Sequence, residues 1–406
     1  MLIFTAPGQG AQTPGFVSPW LELPGLAEQF GAWSDLAGRD LIRLGTTGSA
    51  EEITDTAVAQ PLLVAAAIAV AGLLGEPDAA AGHSVGELAA GVIAGVITAP
   101  DAIALTRVRG EAMAASCGAT PTGMTAVLGG DEDVVLAAIA NVGLTPANIN
   151  ATGQIVAGGT LEQLAEFAAN PPKGARLRAL RVAGAFHTKH MAPAVDALEA
   201  AAAGTKVKDP VITLLSNRDG AVVTSGRNWV DRIVNQVANP VRWDLCMATR
   251  SDIGVTALIE LVPGGTLTGM ARRALPGVEL LAIKTPDQLD AARALIAAHA
   301  TATNGYAANS VGSGPEWKIV VASGAGTVRL RKTGTQTGNE TATETVATPA
   351  GANVRAGDVL GHIVARGGEK AVTATRDAVV TEWLVEDGDP VGEGQPLVRL
   401  QPTELA

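Results

Sequence analysis

Gly82-His83-Ser84-Val85-Gly86 sets a serine between two glycines, after the short apolar run Ala79-Ala80-Ala81 and before a helix-forming stretch, Glu87 to Val96. The order of strand, sharp turn and helix around G-x-S-x-G is that of a nucleophile elbow. There the serine is lifted clear of the backbone and the glycines absorb the crowding. The amides and dipole at the start of the following helix favour negative charge developing beside that serine. The pentapeptide alone is moderately specific, since a glycine turn carrying an ordinary serine has the same letters.

Working outward, residues 1 to about 300 alternate short apolar runs with Ala/Leu-rich helical stretches. Leu2-Ile3-Phe4-Thr5 reads as a strand ending in a Pro-Gly turn, Gln60 to Leu74 as a buried helix, and Val255 to Val262 and Val278 to Ile283 as strands. This alternation predicts an α/β fold with a largely parallel sheet. Strands at Met124 to Leu128, Ile155 to Ala157 and Arg178 to Val182, with helices at Glu132 to Ile139 and Leu161 to Ala169, predict a small inserted α+β subdomain over roughly 119–184 in β-α-β-α-β order.

Residues 301–316 are small and polar, the composition of a linker. Beyond them, 317–406 is rich in Val, Thr and Gly at short strand spacing, which predicts a separate all-β module. It holds an internal repeat. Gly351-Ala-Asn-Val354-Arg-Ala-Gly357-Asp-Val-Leu360 matches Gly388-Asp-Pro-Val391-Gly-Glu-Gly394-Gln-Pro-Leu397, and two such halves suggest a small sandwich with pseudo-two-fold symmetry.

Bulk properties narrow the function. Of 406 residues 47% are apolar but only 3% aromatic, and the mean hydropathy is +0.25. The most apolar stretch, Gln60 to Leu74, is shorter than the roughly 20 residues a bilayer requires. The start, Met1-Leu-Ile-Phe-Thr-Ala-Pro7, has no basic region or cleavage-like site. A net charge of −11 argues against general nucleic-acid binding. The two cysteines, Cys117 and Cys246, suggest neither a metal site nor a disulfide framework, and they fit a reducing cytoplasm. No metal or cofactor is expected.

A serine nucleophile needs a base. Of five histidines, His83 abuts the serine and reads as structural, His299 as a surface helix residue and His362 as part of the β module. His187, in a loop after a predicted strand, suits a general base, and His190 competes with it on equal terms. Pro7-Gly8-Gln9-Gly10-Ala11-Gln12 is a Gly-rich loop at a strand end. It lacks the Lys-Ser/Thr of a P-loop, and a side-chain amide there suits an oxyanion instead. Arg109 falls on a predicted helix, where most arginines are solvated or paired.

Together these pieces resemble the bacterial malonyl-CoA:acyl-carrier-protein transacylases and the acyltransferase domains of polyketide synthases. The resemblance rests on Pro7-Gly8-Gln9-Gly10-Ala11-Gln12, Gly82-His83-Ser84-Val85-Gly86-Glu87, Arg109-Gly110, Gly123 to Gly129 and Asn148 to Gly158. It continues through Gly184-Ala-Phe-His187-Thr, Asn235-Gln236…Asn239-Pro240-Val241-Arg242-Trp243 and Pro263-Gly264…Leu267-Thr268-Gly269, all in the family's order. It departs at Val262-Pro263-Gly264, where Gly-Pro-Gly is usual, and at Leu88, where a tyrosine is common.

The resemblance implies a hydrolase-like α/β body with a ferredoxin-like insert, and a ping-pong transfer from malonyl-CoA to an acyl carrier protein. It makes Ser84 the nucleophile and His187 the base, with backbone N–H groups of Gln9 and Val85 as the oxyanion hole. Arg109 would hold the malonyl carboxylate, which suits a planar guanidinium. Gln236 lies in the segment that orients the histidine. Phe186 would crowd an α-methyl group and so favour malonyl, a discrimination worth only about 1–3 kcal/mol. Lys189 is a candidate for docking an acidic carrier.

The β module resembles biotinyl/lipoyl carrier domains, but Gly367 stands where they carry the modified lysine and the nearest lysine, Lys370, comes three residues late. The module therefore reads as an unmodified relative. Two readings of other classes share these letters. One is a serine hydrolase or thioesterase, which has no need of Arg109. The other is a non-catalytic scaffold, which has no need of the Ser84, His187 and Arg109 set.

Overall fold

In the computed structural model the chain divides into two compact units, Met1–Tyr306 and Ala307–Ala406. The structure describes residues 1–118, 120–300, 318–322, 326–330, 348–349, 351–365, 368–374, 377–383, 385, 388–392 and 396–402. The expected linker over 301–316 and the Gly367 position lie outside these residues.

In the first unit the strands are β1 (Leu2–Ala6), β2 (Ala79–Gly82), β3 (Thr122–Gly129), β4 (Thr145–Ala151), β5 (Gln154–Thr160), β6 (Ala175–Ala179), β7 (Thr213–Leu215), β8 (Val222–Val223), β9 (Val241–Arg242), β10 (Ala257–Glu260) and β11 (Glu279–Ala282). The main sheet runs β11-β10-β1-β2-β7-β8 and is parallel except for β8. Strands β1 and β2 are buried throughout, which suits their small and apolar letters, broken only by Thr5, to the centre of a parallel sheet.

Around this sheet pack α1 (Thr56–Ala71), α2 (Gly86–Ile93) and α3 (Ala99–Cys117). Helix α1 is buried on nearly every side, so its all-round apolar sequence is a core helix. It starts four residues before the expected Gln60, because Asp55 accepts a hydrogen bond from the Ala57 N–H and caps it there. Helix α2 ends at Ile93 rather than Val96, where Gly95 takes a left-handed φ of 73°.

The insert has its own sheet, β6-β3-β5-β4-β9, covered by α4 (Glu132–Asn141) and α5 (Leu161–Ala169). Its order is β-α-β-β-α-β, one strand more than the sequence reading. The additional strand, β4, has the letters Thr-Pro-Ala-Asn-Ile-Asn-Ala, whose proline and asparagines carry little strand propensity of their own. Pairing with β5 on one side and β9 on the other holds it. The last strand, β6, precedes the expected Arg178–Val182 by three residues.

In the second unit the described strands are β12 (Lys318–Val321), β13 (Gly326–Leu330), β14 (Asn353–Val354), β15 (Val359–Ala365), β16 (Gly368–Thr373), β17 (Ala378–Trp383), β18 (Pro390–Val391) and β19 (Pro396–Pro402). They form two four-stranded antiparallel sheets, β12-β19-β17-β14 and β16-β15-β13-β18, which share one buried apolar cluster. The two copies of the repeat contribute β14 and β18 to different sheets, each strand entered through a glycine of positive φ, Gly351 at 87° and Gly388 at 97°. Among the described residues of both units, no helix is long and apolar enough to cross a membrane.

Candidate active site

Strand β1 ends opposite β2, Ala6 beside Gly82, so the loops that follow them lie together at the carboxyl edge of the sheet. One loop carries Gln9 and the other Ser84, the position where open α/β sheets place their ligands. The elbow is tight. A Cβ on Gly82 would overlap the Gly86 backbone, and one on Gly86 would overlap the Ala6 carbonyl and come within 2.9 Å of the Pro7 oxygen. Ser84 itself sits at φ 53°, a left-handed conformation costing a serine on the order of 1–2 kcal/mol. Asn217 holds this turn in place. Its Oδ1 accepts the Ser84 N–H at 2.7 Å and its Nδ2 donates to the Gly82 carbonyl at 2.7 Å.

Of the two competing histidines, the structure brings His187 to the serine. Its Nε2 lies 2.7 Å from Ser84 Oγ, and its Nδ1 lies 2.8 Å from the backbone carbonyl of Gln236. A carbonyl only accepts, so the proton is on Nδ1 and the Nε2 lone pair faces the serine hydroxyl. His187 also has a left-handed φ, 60°, and its N–H donates to the Val237 carbonyl. Burial, followed by the nearby Arg109 charge, pushes the His187 imidazole down to about 3, so it is neutral at ordinary pH. His190 is half-buried and bonds through its backbone N–H to the Thr188 hydroxyl, away from Ser84. His299 bonds to Thr256 and Glu279, and His362 pairs with Glu369.

Arg109 is not a solvated helix arginine: it is 1% exposed. It donates to Gln60 Oε1 at 2.7 Å, to Gln236 Oε1 at 2.8 Å and to Ser84 Oγ at 3.2 Å. Burial lowers it to about 10, against which Glu87 raises it, and it remains a cation. Gln60 had no role in the sequence reading. Its signal is a glutamine amid an otherwise apolar helical run, which needs a polar partner once buried. Glu87 and Asn217 were likewise overlooked, although Glu87 sits within the elbow motif.

The remaining candidates surround a cavity of about 430 Å³ between body and insert, lined on one wall by Gln9, Ser84, Val85, Arg109 and Phe186. The Gln9 side chain is engaged with the Thr54 carbonyl and Thr56 hydroxyl, which holds its loop against the start of α1. Val85 is the N-cap of α2, at the helix start where backbone N–H groups lack helical partners. The opposite wall comes from the insert, including Met124, Asn150 and Leu180. His83 donates to Asn150 across the cavity floor at 2.8 Å and packs edge-on against Trp243. Trp243, in the helix Trp243–Asp252, is in turn covered by the Arg250 guanidinium at 4.1 Å. His83 is therefore a wall and not a second base. Among the described residues, no group of acidic, cysteine or histidine side chains is placed to hold a metal.

Comparison with known proteins places this geometry in a family. The family model described as an acyl transferase domain matches residues 3–304. The malonyl CoA-acyl carrier protein transacylase of Mycobacterium tuberculosis is 56% identical over 297 residues, covering 71% of this chain and 98% of that protein. The Escherichia coli protein of the same name is 32% identical over 301 residues, covering 71% and 97%. The crystal structure of the Mycobacterium tuberculosis enzyme superposes with a TM-score of 0.70 at 55% identity, covering 72% of this chain and 99% of that one. A malonyl-transacylase solved in complex with a type II polyketide synthase acyl-carrier protein gives 0.68 at 30% identity, covering 72% and 99%. With a matched domain spanning most of the chain, and relatives covered almost from end to end, the chain belongs to the malonyl-CoA:acyl carrier protein transacylase family.

Proposed function

We propose that the chain transfers a malonyl group from malonyl-CoA to the phosphopantetheine thiol of an acyl carrier protein, in fatty acid or polyketide synthesis, through an ester on Ser84. Ser84 Oγ loses its proton to His187 Nε2 and attacks the thioester carbonyl. The backbone N–H groups of Gln9 and Val85 steady the oxyanion. As the tetrahedral intermediate collapses, the proton on Nε2 passes to the departing coenzyme A sulfur. The carrier thiol then gives its proton to the same nitrogen and attacks the ester, and Ser84 leaves protonated. Throughout, the Gln236 carbonyl steadies the imidazolium through Nδ1–H.

The observation that carries the reading is the buried Arg109 cation 3.2 Å from the nucleophile. A cation placed there suits an acyl group with a second, free carboxylate, and a simple esterase has no use for it. Phe186, 7% exposed and on the cavity wall, narrows the space beside the acyl α-carbon and favours malonyl over methylmalonyl. In this reading the reaction is cytoplasmic and uses no metal or cofactor. Intact mass after brief incubation with malonyl-CoA tests it: a malonyl adduct is expected on the wild type and not on Ser84→Ala. Coenzyme A released without any adduct would favour hydrolysis, and neither adduct nor release would favour a scaffold.

For the domains, the same reading assigns 1–300 to the transferase with its ferredoxin-like insert at about 119–184, 301–316 to a linker and 317–406 to a biotinyl/lipoyl-like module lacking the modified lysine. The paired four-stranded sheets, related through the Gly351 and Gly388 repeats, support it. Lys370 lies within β16, paired with Ile363, and not at a hairpin tip. A biotin or lipoyl adduct in the mass of the full-length protein would overturn this assignment.

A further inference from the structure

Glu87 is a buried carboxylate, 1% exposed, for which the transfer chemistry has no use. It occupies the first turn of α2, next to the elbow, yet its oxygens face away from the cavity. One accepts the Asn217 N–H at 2.9 Å and the other accepts from Gln236 Nε2. Gln236 is the last residue of α6 (Gly226–Gln236), and the other end of its amide, Oε1, accepts from Arg109 at 2.8 Å. A single primary amide thus separates a buried guanidinium from a buried carboxyl group.

We propose that Glu87 is a positioning residue: it fixes the sense of the Gln236 amide so that its oxygen meets Arg109, and thereby sets the preference for an acyl group carrying a carboxylate. This inference rests on the malonyl-transfer reading.

The argument is one of donors and acceptors. An amide has an NH₂ end and an oxygen end of nearly equal shape, so its sense is decided by its neighbours. Arg109 offers only donors. With the amide reversed, NH₂ would face guanidinium and push it out of line. Burial pushes the Glu87 carboxyl up to about 8, against which the bonds from Asn217 and Gln236 lower it; both its oxygens accept from N–H donors, so in this arrangement it acts as an acceptor alone and demands the NH₂ end of the amide. The Ser84 carbonyl at 3.2 Å and Asn217 Oδ1 at 3.3 Å ask for the same sense.

With Gln60 and Gln236 each taking one terminal nitrogen, the fork of Arg109 is held from two sides and its remaining contact is the nucleophile oxygen. Glutamine in place of Glu87 breaks the logic, because one of its two ends must then present NH₂ to a donor, either the Asn217 N–H or Gln236. Glu87 acts on Arg109 through the Gln236 amide without touching it, so the guanidinium keeps a free edge for substrate.

The test is the ratio of malonyl to acetyl acylation of Ser84, measured as kcat/KM by intact mass in the full chain. Glu87→Gln is expected to lower that ratio about 30-fold, the scale of leaving a buried donor or acceptor unsatisfied, with acetyl transfer the less affected. The double variant Glu87→Gln/Gln236→Met is expected to lie no lower than Gln236→Met alone, because Glu87 acts through that amide. Gln236→Met removes the amide while the backbone carbonyl serving His187 is untouched.

A merely structural role for Glu87 would make the two losses add. An unchanged ratio in Glu87→Gln, or additive losses in the double variant, would overturn the proposal. Should Glu87→Gln not fold, Gln236→Met cuts the same link, and an unchanged ratio there overturns it equally. Failure of the wild type to take up malonyl at all would instead remove the transferase reading beneath it.

Discussion

Replacing Arg109 with alanine separates recognition of the acyl group from the chemistry performed on it. Arg109 has five N–H donors, of which three are engaged, two by Gln60 and Gln236 and one by Ser84 Oγ. Acylation removes Ser84 Oγ as a free hydroxyl, and the incoming carboxylate takes over that edge of the guanidinium. Two charge-assisted hydrogen bonds to a carboxylate, at about 1.5–3 kcal/mol each, amount to about 3–6 kcal/mol. That corresponds to a fall of about 10² to 10⁴ in kcat/KM for malonyl-CoA.

Acetyl-CoA makes neither bond, so its kcat/KM is expected to change by less than about tenfold. The substitution also leaves the Gln60 and Gln236 oxygens without their donor, at about 1–3 kcal/mol each. A melting curve is therefore run beside the kinetics, and rates are compared only where the variant is folded. The assay follows coenzyme A release and Ser84 acylation with the two thioesters. Equal proportional losses for malonyl and acetyl would refute the assignment of Arg109 to the carboxylate.

Other expectations follow from the same geometry. With the His187 imidazole pushed down to about 3 by burial and by Arg109, the base stays neutral well below pH 6.5, so the acid limb of kcat/KM for the acylation step should lie below pH 5; a limb near 6.5 would contradict the buried environment. The stability link has the opposite side: between pH 6.5 and about 3 the unfolded chain binds a proton at His187 that the native one refuses, so stability should fall with falling pH by up to about 1.4 kcal/mol per unit, and His187→Gln should flatten that slope in denaturant titrations. Gly86→Ala should yield little folded protein, since its Cβ collides with backbone at Ala6 and Pro7 that no rotamer change relieves; a melting temperature near that of the wild type would show the elbow to be looser than described. Phe186→Ala should raise methylmalonyl relative to malonyl transfer by about tenfold, the worth of one methyl group in a pocket, and an unchanged ratio would place the selectivity elsewhere.

Much of this protein is legible in its letters. The G-x-S-x-G turn, the buried character of α1 and the strand at each end of the body follow from glycine sterics and apolar periodicity, which are local. So does the repeat in the second unit, whose matching glycines both adopt positive φ. What failed to be legible is what depends on distant partners. Strand β4 has weak propensity and exists because β5 and β9 flank it. His187 and His190 were equal in sequence, and only the folding of the loop toward β2 gives one of them the serine and leaves the other near solvent.

The sequence by itself determined the tight turn around Ser84 and the layered α/β body, because sterics and burial act between neighbours in the chain. Only the tertiary structure decided which histidine meets Ser84, that Arg109 is buried against the same hydroxyl, and that Gln60 and Gln236 hold it there, with Glu87 behind Gln236. Hydrogen-bonded groups drawn from positions as far apart as 60, 84, 109, 187 and 236 leave no periodic trace in a sequence. Their selection rests on satisfying one another's donors and acceptors in a place from which water is excluded.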